Sequence, residues 1–205
     1  FSEYLHPYDD THLIGFGHEV DESIDADKVH SDNAVYYTAI LGMKISIFDV
    51  SDVANPKEMF KEVIGYPGTT SELLQNHKAL LFDRSKNLLA FPVTITEKKT
   101  RTTSRDTAYE QIETTFQGGI IYTVDLKKGF QLRGKVTHYE DDGMFQAAGE
   151  YFYGDPGLNV QRLLYIGENL YAVSPDKVSS YELQSIAPLK NIELLPKSSS
   201  EYTQY

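Results

Sequence analysis

One strand-turn-strand phrase occurs three times in this 205-residue chain. The first copy sets His12–Gly17 (HLIGFG) before Ile45–Val50 (ISIFDV). The second sets Asn87–Pro92 before Ile120–Leu126, and the third Asn169–Ser174 before Ser179–Leu183. A β unit this small cannot bury its apolar face alone, so recurring copies must stack, as they do in solenoids and propellers.

Each copy expands to four short runs of alternating or continuous apolar residues rich in β-branched and aromatic side chains. The first unit takes strands at 3–6, 13–16, 44–50 and 59–64. The second takes 78–82, 88–94, 119–125 and 131–137, and the third 162–166, 170–173, 178–183 and 189–195. Polar connectors such as Pro7–Asp10, Asp83–Asn87 and Gly167–Asn169 fall at the same place in each unit. The expected fold is all-β: part of a β-propeller with about three four-stranded antiparallel blades, near 1–65, 77–138 and 160–195, belonging to a larger propeller. A β-sandwich gives similar strand patterns without so strict a repeat. Helical turns are expected only in loops, at Glu72–Gln75 and Asp106–Glu113, and residues 196–205 read as a polar tail.

Composition excludes several classes. The net charge of -11 leaves no basic stripe for nucleic acid. With no cysteine, disulfides, zinc-thiolate sites and thiol nucleophiles are impossible. No apolar run approaches the roughly 20 residues that span a bilayer. The chain opens on Phe1 without a signal peptide, which reads as a piece of a longer protein. Three blades would leave two open edges, so missing blades or an edge-pairing partner are expected.

With the strands placed, the segments Tyr4–Asp9, His12–Gly17, Gly42–Ser51, Asn55–Glu58 and His77–Asp83 resemble the family of secreted prokaryotic proteins with a C-terminal β-propeller distantly related to WD repeats. Phe116–Gly119 and Leu164–Gly167 continue the resemblance, which covers roughly residues 1–195. It implies an extracellular or cell-envelope location and a longer protein. It transfers no activity.

Propeller connectivity puts the loops between second and third strands, and those from one blade to the next, on a common face. Every long insertion falls there: 18–41, 65–76, 97–117 and 139–159. Long loops on one face of a rigid scaffold are where binding resides. Four groups of side chains there suggest chemistry. Asp25, Asp27 and Asp32 are oxygen donors spaced for a hard cation such as Ca2+, without the glycine and terminal glutamate of an EF-hand; the other reading is a solvated acidic loop, with no cofactor. Ser71, Glu72, His77 and Lys78 place a nucleophile, an acid and a base near the channel mouth; no nucleophile elbow is present, and the favoured reading is a structural His77 that pins the loop to the strand. Lys98, Lys99, Arg101 and Arg105 form the chain's basic run, suited to an anion or to a solvated loop. Tyr151, Phe152 and Tyr153 are aromatic for a loop, as on glycan- or peptide-binding rims, or as in a loop folded down over a sheet.

The leading functional expectation is an exported, non-catalytic propeller binding a protein or glycan through its loop-rich face. The alternatives are a hydrolase, or a regulatory propeller attached to one, with chemistry at the channel mouth, and a structural envelope component.

Overall fold

The structure, a computed structural model, describes residues 1–23, 40–102, 106–140 and 154–194. It holds three four-stranded antiparallel sheets, each with its strands side by side in chain order. Sheet 1 contains β1 (Ser2–Pro7), β2 (His12–Val20), β3 (Ile40–Asp49) and β4 (Lys57–Ile64). Sheet 2 contains β5 (Leu81–Asp83), β6 (Leu88–Thr102), β7 (Ala108–Asp125) and β8 (Gly129–Val136). Sheet 3 contains β9 (Arg162–Ile166), β10 (Asn169–Val173), β11 (Lys177–Glu182) and β12 (Pro188–Glu193). The fold is therefore the three-blade propeller portion expected from the repeat. Among the described residues no helix is long and apolar enough to cross a membrane.

Sheet 2 is the middle layer, and its sequence shows why. Leu88–Val93 is a continuous apolar run, as a strand covered on both faces requires. Leu89, Phe91 and Val93 point into the core shared with Ile14, Phe16, Ile45 and Ile47 of sheet 1. Leu88 and Ala90 point the other way, into the core shared with Leu163, Leu170 and Tyr181 of sheet 3. Side chains also bridge the layers. His6 of β1 meets Phe82 of β5 edge-on at 5.2 Å, and at the outer end Tyr122 donates to Glu62 of β4 at 2.8 Å. The carboxylates after each third strand fix the turns. Asp49 accepts from the backbone of Ser51, Asp125 from Lys127 and Lys128, and Glu182 from Ser185.

Two elements depart from the sequence reading. The expected loop at 97–117, with its helical turn at 106–113, is instead a ribbon: β6 and β7 stay paired from Thr96↔Thr114 out to Thr102↔Ala108. Threonine and isoleucine in this stretch (Thr96, Thr100, Thr102, Ile112, Thr114) suit a pleated strand, and cross-strand pairing outweighs the helical preference of its glutamates. The inner strand of the second unit is also shorter than expected. His77–Ala79 forms a 3-10 turn capped by Asn76, and pairing begins only at Leu81. The helical turn at Glu72–Leu74 is present, with Ser71 as its cap.

Candidate functional site

The two ends of the sheets differ in kind. At one end short turns touch each other across the blades. Arg84 reaches Asp9 at 3.4 Å and lies over the Tyr8 ring, while Lys86 reaches Glu168 at 3.7 Å and lies over Tyr165. The opposite end carries the blade-to-blade connectors and the β6–β7 ribbon. The described parts of the long connectors therefore share one face, as propeller connectivity requires.

The first connector is stitched to β6. Thr70 and Thr94 exchange backbone hydrogen bonds at 3.0 and 2.9 Å, and the Thr69 and Thr96 hydroxyls, both buried, lie 3.1 Å apart. Gly65 permits this closeness: its φ is +65°, and a Cβ there would lie 2.1 Å from the Thr69 hydroxyl. Ser71 then donates to the Pro92 carbonyl at 2.5 Å and accepts from the Leu73 amide at 3.1 Å.

The second connector is held by a side chain that imitates a strand. Buried Gln117 donates to the Val160 carbonyl at 3.1 Å and accepts from the Val160 amide at 3.0 Å. Tyr139 donates to Asn159 at 2.6 Å, and burial pushes its phenol up to about 12. His138, 2% exposed, pairs through Nδ1 with Ser174 at 2.9 Å. Its Nε2 makes no hydrogen bond among the described residues. Burial, then the Lys177 charge, hold its pKa down at about 4.

Between these connectors lies a cleft of about 290 Å³. Pro92, Val93 and Val160 supply apolar lining; Thr94, Glu72, Gln75, Asn159 and Gln161 supply polar groups. Arg162 lies 3.7 Å from Glu72, joining the two connectors.

The ribbon is braced by charges. Arg101 grips Glu113 with two bonds, at 2.7 and 2.5 Å; the Glu113 side chain is 3% exposed, and the guanidinium holds its carboxyl below the usual range. Lys98 pairs with Glu110, and Lys99 with Glu97 at 2.9 Å. Tyr109 and Ile112 remain exposed on it.

The sequence-derived candidates are thus distributed. Ser71 and Glu72 both line the cleft. Its hydroxyl hydrogen committed to Pro92, Ser71 serves as a cap, and among the described residues no bond joins it to His77. The exposed His77 ring stacks on Tyr4 at 6.2 Å, and Lys78 is exposed beside it. Lys98, Lys99 and Arg101 sit on the ribbon with acidic partners rather than as a free cationic patch. Arg105, Tyr151, Phe152, Tyr153, Asp25, Asp27 and Asp32 lie outside the described residues. Among the described residues no three His, Asp or Glu side chains gather as metal ligands. Sequence reasoning missed Gln117, Asn159 and Gln161; a glutamine preceding Gly118-Gly119 in a strand gives no cue that it will bond a connector 43 residues away.

Comparison with known proteins supports the architecture. A protein of Archaeoglobus fulgidus described as "Uncharacterized protein" is 23% identical over 194 residues, covering 95% of this chain and 21% of that protein. The chain thus spans about a fifth of the length of the curated relative it matches. Residues 1–186 match the family described as beta propeller domain, a stretch that contains β1 through β11. With three antiparallel four-stranded sheets packed in series, the chain belongs to the beta propeller domain family.

Proposed function

We propose that the chain is the binding portion of an exported, non-catalytic propeller that holds a macromolecular ligand, protein or glycan, on its connector-bearing face. The reading rests on one observation: the β6–β7 ribbon extends past the body of sheet 2 on the face where the blade-to-blade connectors lie. A free two-stranded ribbon is marginal in water, and this one is fixed by a half-buried bidentate ion pair while presenting Tyr109 and Ile112 to solvent. Rigid exposed aromatic and aliphatic side chains are efficient anchors because little entropy is lost when they bind. Export follows from the resemblance to secreted prokaryotic propellers with WD-like repeats. The outer face of sheet 3, with Leu164, Ile166 and Ile192 exposed, is suited to a further blade of a longer polypeptide.

The test compares wild type, a variant with residues 97–113 replaced by an Asn-Gly turn, and a short-turn-face control, Asp52→Ala, on glycan arrays and against envelope fractions of the producing cell. Loss of capture by the ribbon variant alone supports the proposal. Capture that survives ribbon removal, or that Asp52→Ala abolishes, overturns it.

A further inference from the structure

We infer that the cleft between the two connectors is a subsite for a single uncharged sugar ring. The inference rests on the connector-bearing face being the binding face, and it names the chemistry that one part of that face recognises.

Three observations carry it. First, the backbone groups that a peptide strand would need there are already used. Thr70 and Thr94 satisfy each other, the Pro92 carbonyl takes the Ser71 hydroxyl, Val160 is bonded at both groups by Gln117, and the Gln161 amide donates to Val173. Recognition by strand addition needs those groups open. Second, what remains open is planar and polar. The Gln75 and Gln161 carboxamides have no partner among the described residues, Asn159 uses only Oδ1, and the bonds to Glu72 fall on Oε1. Each carboxamide offers a donor beside an acceptor and the carboxylate offers acceptors, a set that neighbouring sugar hydroxyls can satisfy. Third, Glu72 and Arg162 offset each other 3.7 Å apart, so the site has no surplus charge for a phosphate or an ammonium group. Pro92, Val93 and Val160 floor the cleft but are themselves buried, so the polar rim holds the ring. The volume of about 290 Å³ is at the small end for ligand pockets and suits one ring rather than a chain.

The experiment is saturation-transfer NMR on the full chain with glucose, galactose, mannose and N-acetylglucosamine, followed by titration of any sugar that responds. Gln161→Ala and Gln75→Ala are the variants, with thermal melts to show that each still folds. At least one sugar is expected to bind at millimolar Kd, with binding weakened at least fivefold in each variant and an unchanged melting temperature. No transfer to any of the four sugars overturns the inference, as does binding that both variants retain in full. Failure here is separable from failure of the broader proposal. If ribbon removal abolishes macromolecular capture while the cleft variants do not affect it, the connector face stands and the sugar subsite falls.

Discussion

Tyr165, in the inner strand of sheet 3, donates its phenol hydrogen to Asp83 Oδ2 at 2.5 Å, at the end of the inner strand of sheet 2. Asp83 also accepts from Ser85 through both hydroxyl and amide, and from the Lys86 amide. These bonds, the Ser85 hydroxyl foremost and Tyr165 next, hold its carboxyl down at about 2. The same carboxylate therefore shapes a turn and joins two blades. Tyr165→Phe removes only the inter-blade bond. We expect a small loss of stability, because solvent screens the bond, and an Asp83 carboxyl that titrates higher than in the wild type but stays below its ordinary 3.8. Since the folded carboxyl is the stronger acid, its contribution is complete above pH 3.8 and disappears as pH falls toward 2. Carboxyl NMR titration with urea unfolding checks both; an unshifted Asp83 in the variant contradicts the coupling.

His138 makes the chain acid-sensitive in a higher window. Its imidazole drops from 6.5 to about 4 on folding, through burial first and Lys177 second. A histidine kept neutral by the fold stabilises the protein above pH 6.5 and ceases to do so as pH falls toward 4. Between pH 7 and 4.5 that single group should cost about 2 kcal/mol. His138→Phe keeps most of the volume and removes the titration. The variant should be somewhat less stable at pH 7, having lost the Ser174 bond, yet decline less steeply on acidification. Urea unfolding at both pH values decides it: parallel declines in wild type and variant would exclude His138 as the source.

How much of this was legible follows from what each feature depends on. The sheets were readable because Leu13-Ile14, Leu88–Phe91 and Leu170–Ala172 repeat one local pattern in one phase, and strand pairing follows local pattern. The turn role of Asp49, Asp125 and Glu182 was readable for the same reason, since each carboxylate bonds a backbone amide two or three residues on. The ribbon was not. Glu110 and Glu113 favour helix in isolation, and pairing across the ladder, with Lys98 and Arg101 as their partners, makes the strand the better state. The cleft was half legible: Ser71 and Glu72 are one segment, but Asn159 and Gln161 arrive from the next connector. Local sequence does not encode that meeting.

The ion pair along the ribbon gives a third test. Arg101→Met removes the cation and leaves Glu113 as a buried carboxylate without its partner. Removing one member of such a pair costs more than the pair contributes, moderated here because the arginine is partly exposed. The Glu113 carboxyl, held low by Arg101, should rise. Amide exchange should accelerate across 97–102 and 108–113 while β10 and β11 keep their protection. Arg101→Met with Glu113→Leu should recover much of the loss. Uniform acceleration in all three sheets would mean that the pair supports the whole fold rather than the ribbon.

Adjacent glycines on β7 separate backbone from side-chain crowding. At Gly118 a Cβ would lie 2.1 Å from the carbonyl oxygen of Val136, on the neighbouring strand β8. That oxygen is part of the sheet and cannot withdraw without parting β7 from β8 next to the Gly119↔Val136 pair. At Gly119 the first atoms met belong to the Leu163 side chain, at 2.6 and 2.7 Å. A leucine can change rotamer, although Leu163 is 5% exposed in the core between sheets 2 and 3. Gly118→Ala should therefore be the more damaging, at about 3 kcal/mol, with Gly119→Ala nearer 1–2 kcal/mol. Gly119→Ala combined with Leu163→Ala should lose less than the two single effects added, because the second change vacates the space the first needs. Gly118→Ala should show no such relief from Leu163→Ala. Equal costs for the two glycines, or simple additivity in both double variants, would show that the packing of β9 on β7 differs from the one described.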